Sequence, residues 1–422
     1  MDVRRIASRF RTTAAVFAVG AATAAMTLPP AGFAAAQDKP IKVGITTELT
    51  GVAAAWARSQ VNGVQLAIDQ INASGGLLGR KLELLVRDSQ LKPDLGASLT
   101  RDLILRESVD VLIGPIASAD GMTVSAMAKQ YKKVVMMAGP NSPRLTMENF
   151  HPYIFQISPT GLMEARAMAE AIGPKYNRIA FIGADSEASH QGLKYFKEWL
   201  AKVNPAAQIV GEAWPKFGEP DYSSYITSLI SSKPDAIFSY LFGADLIGFI
   251  KQANPYGVFE KTKFAGYLQF DDLKALGPDL PDGMIGQMRS PFFATACAYC
   301  SAMERGRTAK FVEQYQAKYN DYPSIWAEKG YEALLILAQA IEKAGTLDSD
   351  AIVRATEQIR YQGLHGTITF RSMDHQGNVG SYFGTTATND KYPFKVLTNE
   401  VRIPAEKIWP SQAEVDQARA AK

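Results

Sequence analysis

From Pro40 onward the chain alternates short β-branched runs with longer stretches in which apolar residues recur every three or four positions. Ile41 to Thr47 reads as a strand. Val61, Val64, Ile68 and Ile71 then mark one face of a helix that Gly75-Gly76 ends. Lys81 to Arg87 returns as a strand, with Leu82, Leu84 and Val86 on one side. A helix over 93–107, a strand over 110–114, a helix over 118–131 and a strand over 133–138 continue the pattern. Apolar strands separated by helices require a parallel sheet covered on both faces.

The same rhythm then starts again. Tyr153 to Ser158 reads as a strand crossing to a second unit, and Thr160 opens a helix to about Ala171. Strands follow at 178–183, 208–214, 235–241 and 263–268, with helices at 191–203, 222–231 and 245–253. Gly283 to Met288 running into Pro291 is a second crossing, and two helices, 308–319 and 324–344, complete the first unit. A strand over 366–370 and the turn Asp374-His375-Gln376-Gly377 make a third crossing. The fold class is α/β: two doubly wound parallel-sheet lobes joined by a three-strand hinge. The first lobe is assigned 37–158 plus 290–365, the second 159–289 plus 366–422.

The first 36 residues read as an export signal. Arg4, Arg5, Arg9 and Arg11 precede an Ala-rich apolar stretch from Thr13 to Leu28, and Ala34-Ala35-Ala36 suits cleavage near Ala36. With four Arg and one Asp this segment carries +3, and the whole chain is also +3, so residues 37–422 are near neutral. Neutrality gives no support to nucleic-acid or anionic-membrane binding. The remaining 386 residues (422 less 36) suffice for two domains. Only Cys297 and Cys300 are present, and neither lies where a lipid anchor would attach. In an oxidising compartment they are a candidate structural disulfide, with a redox pair as the alternative.

Catalytic signatures are missing. The chain has no His-Glu-x-x-His, no Gly-x-Ser-x-Gly and no phosphate-cradling Gly-rich loop. His151, His190, His365 and His375 are scattered, and none has a second His or Cys at ligand spacing, so neither a metal nor a cofactor is expected. Asp271-Asp272 and Asp185 with Glu187 are read as solvated loop acids. The expectation is a binding protein and not an enzyme.

Across nearly all of the chain past the signal, the sequence resembles the leucine/isoleucine/valine-binding family, the type I periplasmic binding proteins of branched-chain amino-acid ABC importers. Ile41-Lys42-Val43-Gly44, Leu49-Thr50-Gly51, and Gly63 to Gly79 with Ala67-Ile68-Asp69-Gln70-Ile71-Asn72 carry the likeness. Asp88, Pro93, Val111-Leu112-Ile113-Gly114-Pro115, Pro140 and Arg178-Ile179-Ala180-Phe181-Ile182 follow in the family's order. The resemblance implies two lobes closing on a ligand held at the carboxyl ends of the strands, where helix N-termini offer free amides.

The resemblance also proposes contacts. Ser118 matches the family's carboxylate-binding serine and could equally be a helix N-cap. Nearby Asp120 is read as a solvated first-turn residue. Asn141 and Ser142 stand where the family places small hydroxyl residues, in a loop about two residues shorter and bounded by Pro140 and Pro143. Trp56 would cover the ligand's side chain. Ser189 and His190 replace a frequent tyrosine on the second lobe, where Phe242, Tyr267 and Gln269 would form an aromatic wall. A ligand ammonium would need a buried carboxylate, for which Asp271 is the nearest candidate and Glu187 the second. If both face solvent, an aromatic or aliphatic acid is favoured. The implied partners are a small-molecule ligand and a membrane permease. The protein is expected to be a periplasmic monomer that closes on a small carboxylate-bearing ligand, a branched-chain or other amino acid, and delivers it to the importer; the alternatives are a non-amino-acid aromatic or aliphatic carboxylate or amide as the ligand, or a sensory role.

Overall fold

A computed structural model describes residues 39–421 apart from 52, 292–296 and 298; the expected export signal lies outside the described residues. The first half runs β1 (Ile41–Thr47), α1 (Ala54–Ala73), β2 (Leu82–Asp88), α2 (Pro93–Leu105), β3 (Val111–Ile113), α3 (Ser118–Tyr131), β4 (Val135–Met137) and β5 (Ile154–Gln156). These strands form a parallel sheet of order β2-β1-β3-β4-β5. The run over 153–158 is therefore an edge strand of the first sheet as well as the exit from it. The strand β1 is buried on both sides because the sheet is covered on both faces. Val64, Ile68, Leu334 and Leu337 pack on one face; Leu103, Val124 and Ala128 pack on the other.

The chain continues through α4 (Gly161–Ile172), β6 (Arg178–Ile182), α5 (Glu187–Val203), β7 (Gln208–Ala213), α6 (Ser223–Ser231) and β8 (Ala236–Ser239). Next come α7 (Gly243–Ala253), α8 (Val258–Lys261), β9 (Lys263–Tyr267), α9 (Phe270–Leu276) and β10 (Ile285–Met288). It returns to the first lobe as α10 (Ala302–Tyr319), α11 (Ile325–Ala344), α12 (Ser349–Glu357) and the hairpin β11 (Tyr361–Gly363) and β12 (Gly366–Ile368). It ends with β13 (Ser381–Ala387), β14 (Val396–Ile403), α13 (Ala405–Ile408) and α14 (Gln412–Ala420). The second sheet has the order β14-β13-β10-β9-β8-β6-β7, and β13 and β14 extend its parallel part antiparallel.

Three passes of chain join the sheets. The turn 374–377 lies against the first pass: Gln156 N–H donates to His375 O (3.0 Å), Gly377 N–H to Gln156 O (2.8 Å) and Gln376 Nε2 to Ser158 O (3.0 Å). Ile368 and Phe370, assigned by sequence to the second lobe, pack in the first core, where Phe370 meets Phe155 edge-on at 5.2 Å. Cys297 and Cys300 form a disulfide on the second pass. The helix α14 lies across the joint: Arg166 of α4 reaches Glu414 (2.5 Å), and Arg419 donates to Met147 O (3.3 Å) and Met373 O (2.7 Å).

Some element bounds move from the sequence reading. The helix α5 starts at Glu187, four residues earlier, because the Ser186 hydroxyl caps Ser189 N–H. The helix α10 starts at Ala302, where Ser301 and Glu304 form a capping box. Asp271 and Asp272 lie in α9 and not in a loop; Asp272 accepts Gln269 N–H at 3.0 Å and fixes the helix start.

Candidate functional site

The site grows from the starts of α1 and α11. These helices cross so closely that a Cβ on Gly63 would lie 1.9 Å from Ala327 O, and one on Gly330 would lie 2.3 Å from Gln60 O. Only glycine permits that approach. The contact brings Trp56, on the first turn of α1, into a stack with Trp326, on the first turn of α11, with ring centroids 5.4 Å apart. Trp56 then meets Phe242 of the second lobe at 6.4 Å, and Phe242 meets Phe217 at 5.8 Å. Phe242 ends the loop after β8 and is 41 % exposed. Deeper in the second lobe, Tyr240 and Tyr267 meet edge-on at 5.2 Å, and burial raises the pKa of both phenols. Aromatic rings thus run without interruption from one lobe to the other. Trp326 and Phe217 were missed by sequence reasoning, because nothing local in either segment points across the cleft.

The floor carries a buried ion pair that sequence reasoning also missed. Arg289, one residue past β10, donates from Nε to Glu164 Oε1 (2.6 Å), from Nη2 to Glu164 Oε2 (3.3 Å) and from Nη1 to Gly139 O (2.9 Å). Its guanidinium lies 5.0 Å from the Trp326 ring centroid. Glu164, on α4, also accepts Asn141 Nδ2 at 3.0 Å. One group of charges therefore ties the 139–142 loop of the first lobe to α4 of the second. The available sequence signal is an acid inside the buried Ala-rich face of α4.

The anion site expected at the start of α3 is filled from within. Glu48 is fully buried, and its carboxylate accepts Ile116 N–H (3.1 Å), Ala117 N–H (3.0 Å) and the Thr47 hydroxyl (3.0 Å). Ala117, not Ser118, holds the N-cap position. The Ser118 hydroxyl instead accepts the N–H groups of Asn141 and Ser142, both at 3.2 Å, and lies 3.2 Å from Asn141 Oδ1. Asp120 corrects the solvated reading: it is 1 % exposed, packs against α2 and accepts the Ser89 hydroxyl.

Comparison with known proteins matches residues 40–391 to the family model described as periplasmic binding protein. The chain belongs to the periplasmic binding protein family. Among its relatives, Leu/Ile/Val-binding protein homolog 7 of Brucella abortus (strain 2308) is 23 % identical over 394 residues, covering 88 % of this chain and 96 % of the relative. A solute binding protein of an ABC transporter from Rhodopseudomonas palustris BisB5, solved with 3,4-dihydroxy benzoic acid, aligns with a TM-score of 0.73 at 22 % identity, covering 86 % of this chain and 97 % of that one. A branched-chain amino acid transporter substrate binding protein of Streptococcus pneumoniae, solved with isoleucine, aligns with a TM-score of 0.74 at 20 % identity, covering 87 % and 100 %.

In this periplasmic binding protein Asp271 and Glu187, the two candidate partners of a ligand ammonium, differ in exposure. Asp271 is half-buried on α9, where burial pushes its carboxyl up to about 6, with Lys274 and Asp321 nearby. Glu187 is exposed, and Asp185 pairs with His190 at 2.8 Å. His190 stacks on Trp214 at 3.9 Å, on the β7 side of the second sheet. The Ser189 hydroxyl is buried 3.0 Å from that of Ser186. Gln269 Nε2 donates to Gln287 O at 3.2 Å. Of the expected contacts, Trp56 thus meets Phe242, Ser118 bonds Asn141 and Ser142, Tyr267 meets Tyr240, and Gln269 lies beside β10. Among the described residues no three His, Cys, Asp or Glu side chains are grouped to hold a metal ion.

Glu48 makes the support of this wall pH-dependent. Burial, with the Asp120 carboxylate alongside, pushes its carboxyl from 4.5 up to about 7. A raised acid holds its proton preferentially in the folded state. Its contribution to stability is therefore full below pH 4.5 and lost as pH rises through about 7. Glu48→Gln is expected to flatten that part of the stability profile in thermal unfolding. An unchanged slope would remove Glu48 as its source.

Proposed function

We propose that this chain is the periplasmic solute-binding component of an ABC importer. It closes its lobes over a small carboxylate-bearing molecule with an aromatic or aliphatic body and no free ammonium group. The observation that carries this reading is the aromatic contact between lobes, Trp56 to Phe242, with the buried carboxylates Glu48, Glu164 and Asp272 already engaged. An ammonium in such a site needs an ionised acid to offset its desolvation. Glu164 is committed to Arg289 and Asn141, Glu48 to backbone amides, and Asp272 to Gln269 N–H. A flat apolar body, by contrast, gains burial and ring contacts. The two solved relatives hold an aromatic acid and isoleucine respectively, so the fold itself serves either ligand type.

Ligand contacts to both lobes would shift the hinge toward the closed state, which the permease would recognise. A calorimetric and thermal-shift panel of benzoate, 3,4-dihydroxybenzoate, 3-methylbutanoate and isoleucine tests the proposal. A cognate acid at about 100 times its Kd should stabilise the fold by about 2.7 kcal/mol. Binding of isoleucine with no response to any of the acids would overturn the ligand class.

A further inference from the structure

We infer that Arg289 reads the ligand's carboxylate, so that the anion site lies on the second pass between the lobes and not at the start of α3; this rests on the reading above, and the ligand class it names is a compact aromatic monocarboxylate. The donors expected to hold the anion are consumed, Ile116 and Ala117 N–H by Glu48, and Asn141 and Ser142 N–H by Ser118. Arg289 is a cation that stands among these residues. It touches Gly139 on one lobe and Glu164 on the other, rests on Trp326, and neighbours Tyr240 and Tyr267.

The guanidinium has five N–H groups. Three are used, two by Glu164 and one by Gly139 O, which leaves two without an acceptor among the described residues. The side chain is 11 % exposed, so water satisfies those donors poorly, whereas a carboxylate arriving in the cleft would satisfy them together. Trp326 adds a second donor: its indole N–H is buried without a partner among the described residues, in a residue 5 % exposed. Glu164 is then a positioning residue. It fixes the guanidinium plane, and it competes with the ligand for the same charge.

That competition gives the pair a signature a purely structural ion pair lacks. Benzoate and its neutral isostere benzamide are titrated into wild type, Arg289→Gln, Glu164→Gln and the double variant, with folding of each checked by circular dichroism. Wild type should prefer benzoate, and Arg289→Gln should lose roughly 30- to 100-fold in benzoate affinity while benzamide changes little. Glu164→Gln should strengthen benzoate binding, because the freed cation seeks an anion. The double variant, whose neutral pair keeps hydrogen bonds, covers the case in which Arg289→Gln does not fold, and should bind the two probes alike. Benzoate binding that survives Arg289→Gln or the double change overturns this inference alone, and so does equal weakening of both probes by the two single variants. Binding of isoleucine with no response to benzoate or the other acids overturns it together with the reading it rests on.

Discussion

Glu164→Ala is expected to lower folding stability by about 3–5 kcal/mol, the cost of stranding one member of a buried ion pair. Glu164 is 1 % exposed on its side chain and accepts three hydrogen bonds, two from Arg289 and one from Asn141. Removing it leaves a buried guanidinium whose remaining protein acceptor is Gly139 O. It also frees the 139–142 loop from α4, so the lobes lose a tether at the cleft floor. Urea unfolding of wild type and variant measures the loss. A change under about 1 kcal/mol, the range of exposed pairs, would show that the charges are solvated and the floor is open to water.

The second large effect is at a helix crossing. Gly63→Ala should cost about 3 kcal/mol through overpacking, offset by about 1 kcal/mol of better helix propensity. The clash at 1.9 Å is with a backbone carbonyl, Ala327 O, which no rotamer change can relieve, so α1 and α11 must separate. Those helices carry Trp56 and Trp326 on their first turns, so the variant should also weaken ligand binding, although Gly63 lies a full two turns behind the ring stack. Gly330→Ala, against Gln60 O at 2.3 Å, should behave alike. Thermal unfolding with parallel ligand titration separates the two losses. A fully stable Gly63→Ala variant would mean that the helices are not in backbone contact.

The strand–helix rhythm was legible because both faces of each sheet are covered, which writes continuous apolar strands and amphipathic helices into the chain. Phe242 was legible as an aromatic at a strand tip, whereas Trp56 stands on the first turn of α1 and not in the loop before it. The Arg289–Glu164 pair was not, since its members are 125 residues apart and meet only once three passes of chain are in place. Glu48 filling the Ile116–Ala117 amides is likewise a product of strand order, β1 lying next to β3. The burial of Asp120 depends on Ser89 from a different loop. Another miss carried a local signal. Ser301 and Glu304 have capping-box spacing. The helix α9, seven residues long, is too short to show periodicity.

A crystal structure of the protein grown with a bound aromatic acid tests the account most directly. Ligand density should lie between the sheets at the strand tips, with its ring against Trp56 and Phe242 and its carboxylate within hydrogen-bond reach of Arg289. Density on an outer face of one lobe, or an empty cleft with Trp56 and Phe242 still in contact, would contradict it.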